Sequence, residues 1–299
     1  MRRMMLLPTV LLLGASAAPT PLPELPRAGW CGSDLGPFDG PEPATTLLPG
    51  YGQGGFRITT KNPQAQAFFD NGMQLAHAFA HKAAVAAFKE ARRLDPDCAM
   101  CAWGEAWASG PNINFGVKPE DAKKLSEIVA VAEKLAANGP VRERNLIGAL
   151  KQRYPASGSG GDAAFAAAME QMVKIAPADD EILTIAADAQ MIAAEDWNAT
   201  TMARPVELLE TVLKRNPDYA PAIHFYIHAT EGAGYPKRAE PYADRLKSVA
   251  PAASHLVHMP SHTYYWIGRY ADAGTANLEA VAIDKQNAER LKLATPWML

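Results

Sequence analysis

Cysteine is scarce, with three residues in 299, too few for a disulfide scaffold. Charge of one sign is lacking too: the net charge is −3, and no Lys/Arg block interleaves with aromatics. Nucleic acid is therefore not an expected partner. No Ser/His/Asp triad, P-loop or dinucleotide glycine motif is apparent, which leaves hydrolase, NTPase and NAD readings without support. No alternating strand run occurs, and past the N-terminus no apolar stretch is long enough to span a bilayer. Glycine and proline are plentiful, 22 and 24 residues, while 48% of the chain is hydrophobic. That balance excludes collagen and global disorder and suffices for a buried core of one or two domains.

Arg2 and Arg3 precede an apolar run from Met4 to Leu13, then Gly14-Ala15-Ser16-Ala17-Ala18. A basic start, a short apolar stretch and small residues of A-x-A type predict a secretory signal peptide over 1–18. The competing reading, an uncleaved anchor, needs a longer run. Export to a periplasmic or secreted location follows. Residues 19–62 are rich in Pro and Gly and read as an extended arm or linker. Cys98 and Cys101 form a C-x-x-C followed by Ala102, so the haem signature with its trailing His is absent. In an oxidising compartment a local disulfide, or two small buried side chains, is preferred to a redox pair at a helix start.

From Pro63 to Leu299 the pattern is helical, with apolar residues three and four apart and stops at Asn/Asp-Pro. The expected class is all-α. Phe68, Gly72, Leu75, Ala84, Phe88, Ala91 and Pro96 carry a spacing that resembles the tetratricopeptide repeat (TPR), a 34-residue helix pair. Pro217 and Pro251 stand 34 residues apart, and Gly268, Tyr270 and Ala273 begin a further unit. Ala176-Pro177 closes a longer one, and segment 110–118 is an insertion. The resemblance implies a solenoid of about six helix pairs.

All seven histidines fall in three clusters: His77/His81, His224/His228 and His255/His258/His262. The H-x-x-x-H pairs His224/His228 and His258/His262 recur 34 residues apart, in the same two places of adjacent repeats. An i, i+4 spacing puts both rings on one helix face, and stacked repeats set those faces side by side. The TPR resemblance implies that this face lines the concave groove, along with His255 and Glu231. That composition points to a metal site: His224, His228, His258 and His262 as core ligands, with Glu231 and His255 as ligands or orienting partners. Neutral imidazole suits copper, zinc or iron. His77 and His81 are weaker candidates, since repeat phase places them at a helix end and beyond the turn. Pro260, within His258-Met259-Pro260-Ser261-His262, should kink its helix and re-aim one ring. Trp103 and Trp107, in matching places of the second unit, are expected to floor the groove for a substrate. Tyr226, Tyr264, Tyr265 and Trp266 read as core or groove aromatics, with Tyr264 and Tyr265 also open to serving a redox metal.

The blocks Asp95-Pro96-Asp97-Cys98-Ala99-Met100-Cys101, Gly110-Pro111-Asn112-Ile113-Asn114 and His255-Leu256-Val257-His258-Met259-Pro260-Ser261-His262 resemble a group of exported bacterial TPR proteins. The likeness runs from Gln64 to the C-terminus and implies fold and export, not an activity. Two functional expectations result. One is a His-rich metal site, for metal binding or metal-dependent chemistry on a small molecule or peptide. The other is a metal-free scaffold whose groove docks a peptide or protein partner.

Overall fold

Proline decides where the helices end. The computed structural model describes residues 45–155 and 161–291; the expected leader, residues 19–44 of the arm and the final eight residues lie outside them. Four helices stop at the residue two before a proline: α2 (His81–Leu94), α6 (Asp162–Ile175), α8 (Ala203–Arg215) and α10 (Glu240–Val249). The residue before proline is pushed out of the helical region, so each helix closes there. The remaining helices are α1 (Pro63–His77), α3 (Ala99–Ala108), α4 (Pro119–Leu135), α5 (Val141–Arg153), α7 (Asp180–Ala193) and α9 (Ala220–Gly232). They are followed by α11 (Ser254–His258), α12 (Pro260–Trp266) and α13 (Tyr270–Leu291). The described residues contain no strand, and the class is all-α. None of their helices is long and apolar enough to cross a membrane.

Helices adjacent in sequence pack against each other, and their burial sorts them into two kinds. α3 is buried along its whole length, as is α9 from Ala220 to Thr230. α8, by contrast, buries one stripe, Val206, Leu208, Leu209, Val212 and Leu213. A helix apolar all round belongs to the interior, and a striped one to the surface. Small residues allow the close approaches: a Cβ on Gly72 of α1 would come 2.8 Å from the Phe88 ring, and one on Gly104 of α3 2.3 Å from it. Beyond neighbour packing, α1 also meets α9, some 150 residues further along the chain.

Residues 45–62 of the arm lie on the helices. Leu48, Tyr51 and Ile58 are buried. The Asn71 side chain accepts from Leu48 N–H and donates to Leu48 C=O, both at 2.8 Å. Ala252 N–H donates to Gly50 C=O at 2.9 Å, and Thr59 N–H to Glu143 Oε1 at 2.6 Å. Phe56 sits edge-on to Phe69 and Trp103, beneath the Arg142 guanidinium. The arm thereby ties α1 and α5 to the turn before α11.

That placement corrects one expectation. Trp103 and Trp107 do not floor an open groove: they stack on each other, and Trp103 is fully buried with its indole N–H on Leu146 C=O. Phe56 of the arm packs edge-on against Trp103. Cys98 and Cys101 form a buried disulfide at the start of α3, the local crosslink expected rather than an accessible redox pair.

Asn71→Ala removes both partners of a buried backbone N–H and C=O. The expected cost is roughly 2–4 kcal/mol, read as a lower urea midpoint together with faster proteolysis within residues 45–62. An unchanged midpoint would show that the Asn71 contacts with Leu48 add nothing to the fold.

Candidate metal centre

The site is built where α1, α9, α11 and α12 converge. α9 presents His224, His228 and Glu231 on one face; α11 carries His255 and His258; α12 carries His262. Pro260 opens α12 while Met259 keeps helical angles (φ −52°, ψ −37°). α11 therefore ends at His258 and α12 begins at Pro260 with Met259 between them still in the helical region. Five imidazoles gather as a result.

The tautomers follow from the partners. His224 Nδ1 lies 2.8 Å from His77 C=O. A carbonyl only accepts, so Nδ1 carries the proton and Nε2 is a bare lone pair. That lone pair faces His255 Nε2 at 2.9 Å. His262 Nδ1 donates to Glu231 Oε2 at 2.8 Å, and His258 Nδ1 donates to Asn277 Oδ1. The two rings then meet through their Nε2 atoms, 3.1 Å apart. Two nitrogens on one ion with bonds of 2.0–2.1 Å and a tetrahedral angle sit about 3.3 Å apart. Each pair thus has close to the spacing that a shared cation imposes.

His228 completes the cluster. It is buried, 1% exposed, and neither ring nitrogen has a hydrogen-bond partner. A buried imidazole left unsatisfied costs about 1–3 kcal/mol and calls for an explanation. The ring centre lies 5.1 Å from that of His224 and 5.3 Å from that of His262. Donor atoms of His224, His228 and His255 fall within 4.8 Å of one another, and so do those of His228, Glu231 and His262.

Burial keeps the inner rings neutral. It pushes His224 down to about 3, helped by neighbouring histidines, and drives His228 and His255 well below the usual imidazole range. Neutral imidazole is the form that ligates. Burial raises the Glu231 carboxyl, but the hydrogen bond and charge of His262 and the Trp266 N–H outweigh it and bring it to about 2. Both Glu231 oxygens accept from N–H groups, Oε2 from His262 and Oε1 from Trp266 at 2.7 Å. Glu231 is placed to orient His262, in the manner of carboxylates behind ligating histidines.

The two N-terminal histidines do not join the donor groups. His81 is satisfied on both sides: Nδ1 donates to Ala108 C=O at 3.2 Å, and Nε2 accepts from the Asn112 amide at 2.8 Å. His77 directs Nε2 at Glu181 and offers the centre only its backbone carbonyl. Their i, i+4 spacing is interrupted because α1 ends at His77 and α2 begins at His81. The tyrosines also stay outside: Tyr226 donates to Glu210, Tyr264 to Asp244, and Tyr265 is exposed.

Sequence reasoning missed Phe79 and Asn277. Phe79 adopts φ +57°, the only positive value among described non-glycine residues. Its ring stacks on His255 at 4.7 Å and meets His224 edge-on at 4.6 Å, roofing the inner rings with apolar surface. A bulky residue where glycine is usual, just after a helix end, would have been the signal. It becomes visible only once the helix end is known.

A pH profile checks the electrostatics. His81, lowered by burial to about 4, joins His224, His228 and His255 in titrating below the unfolded value near 6.5. The unfolded chain binds the extra protons, so stability rises with pH up to about 6.5 and then levels off, each group adding at most ~1.4 kcal/mol per pH unit. Asp70 and Asp188, raised by burial to about 6, act oppositely between about 3.9 and 6, two groups against four. Metal-free protein should lose stability in denaturant titrations from pH 6.5 to 4.5. A flat profile would mean that the rings accept protons in the folded state.

No protein-family model matches the chain and no curated protein matches it, so its function is argued from the chemistry of this centre alone.

Proposed function

We propose that this chain is an exported TPR-like α-solenoid that holds a transition metal, copper, zinc or iron, in a histidine cluster on the concave side of its repeats. The observation that carries the reading is His228, buried among four other imidazoles with both nitrogens unpartnered. The approach of His258 Nε2 and His262 Nε2 to 3.1 Å adds to it, since two nitrogens on one ion sit about that far apart.

In this reading His224, His228, His255, His258 and His262 ligate. Glu231, Asn277 and the His77 carbonyl hold ring orientations, and Phe79 excludes water. His224, His228 and His255 are buried, whereas His258, His262 and Glu231 reach the surface. The rim is where a small molecule or peptide approaches the ion. A bound metal would supply Lewis-acid or redox chemistry there, and the substrate is unassigned. The interaction-scaffold reading gains no support: the innermost histidines are closed to a docking peptide, and arm residues fill the interior beside Trp103.

Elemental mass spectrometry on natively exported, untagged protein tests the proposal. Wild type should carry at least one equivalent of metal, and the folded His258→Ala/His262→Ala double variant measurably less. If neither binds copper, zinc or iron after soaking, while circular dichroism shows an intact fold, the centre is structural and the proposal fails.

A further inference from the structure

The cluster has two foci rather than one. His224 Nε2 and His255 Nε2 meet at 2.9 Å, and His258 Nε2 and His262 Nε2 at 3.1 Å. The first pair is buried between Phe79 and α9, and the second is half-buried at the rim. Two three-residue donor groups arise, His224/His228/His255 within and His228/Glu231/His262 at the rim, where His258 reaches the second group through its contact with His262; His228 belongs to both groups. No other residue does.

We propose that the centre holds two metal ions, an inner one on His224 and His255 and an outer one on His258 and His262, with His228 giving one ring nitrogen to each. This inference rests on the proposed metal binding and goes beyond it in ion number, ligand division and accessibility. Three of the other four ligating rings have one nitrogen committed elsewhere, His224 to the His77 carbonyl, His262 to Glu231 and His258 to Asn277; His255 also has an unpartnered Nδ1 but belongs to the inner donor group alone. His228 alone has two nitrogens without partners, and its ring lies between those of His224 and His262. An imidazole bridging through both nitrogens, with bonds near 2 Å, sets the ions about 6 Å apart. The neutral His228 ring carries one proton, which leaves for solvent when the second ion binds, so the bridge is an imidazolate.

The two positions differ in access. Phe79 and the buried length of α9 close the inner one, whereas Glu231, His258 and His262 edge the outer one. The outer ion is the exchangeable one and the candidate contact for a substrate; the inner ion is retained.

Zinc alone is a sufficient probe. Full mature protein loaded with excess zinc and desalted should retain two equivalents, and a chelator with a colorimetric readout should withdraw them in two equal phases, the slow one at least tenfold slower. The folded His258→Ala/His262→Ala variant, altered only at the rim, should retain one equivalent and only the slow phase. His228→Ala should speed both phases at least tenfold. Retention of zero equivalents by wild type overturns metal binding itself. One equivalent leaves metal binding standing and overturns the pair of ions. Two equivalents with one phase unaltered by His228→Ala overturn the bridge. Should His228→Ala fail to fold, the rim variant still decides the ion number, and two equivalents in it would place no ion on His258 and His262.

Discussion

The hydrogen bond from His224 Nδ1 to the His77 carbonyl is the contact on which the centre depends. It joins the last turn of α1 to the middle of α9 across 147 residues of chain. Carbonyls in a last turn lack a partner within their own helix and concentrate negative partial charge. An imidazole N–H answers both needs. In doing so it fixes the tautomer of His224 and turns its free lone pair inward. A structural demand of one helix end thereby sets the chemistry of a side chain on a distant helix.

The same helix end carries the strain. After α1 the backbone passes through a left-handed residue, and that residue is Phe79 rather than glycine. A side chain there costs about 1 kcal/mol or more. The ring in return covers His224 and His255 and keeps water from them. Burial then holds the rings neutral at ordinary pH. Unpartnered His228 remains a liability that packing does not relieve, because no donor or acceptor on any neighbouring helix reaches it.

Much of this architecture is legible locally. Helix stops at Pro96, Pro177, Pro217 and Pro251 follow from the backbone restriction before proline. The shared phase of His224/His228 and His258/His262 follows from period and spacing. Residues on one helix, or on helices that follow each other, are related by short-range geometry that sequence encodes directly. His77 and His81 were less legible: whether an early helix meets a late one depends on how all the intervening helices pack, a sum of many small packing angles. The Trp103 and Trp107 expectation failed for a related reason. The residues that bury them come from an arm with no periodicity, whose course is set by contacts such as Asn71 with Leu48 and Phe56 with Trp103.

An interior of bare imidazoles is costly without a cation, and that cost bears on why the fold has the rest of its features. The unpartnered nitrogens of buried His228 destabilise the metal-free protein by about 1–3 kcal/mol each, a sizeable share of a domain's net stability. The fold tolerates it because the surrounding contacts are strong and redundant: the arm, the disulfide at α3 and the glycine-to-Phe88 approaches all lie away from the rings. Any ligand that binds only the folded state returns stability in proportion to its affinity. On the proposed reading, a cluster with its orienting partners already in place has its donors held for an ion before the ion arrives. Such preorganisation would set it apart from a histidine that fills a core, as His81 does with both nitrogens satisfied.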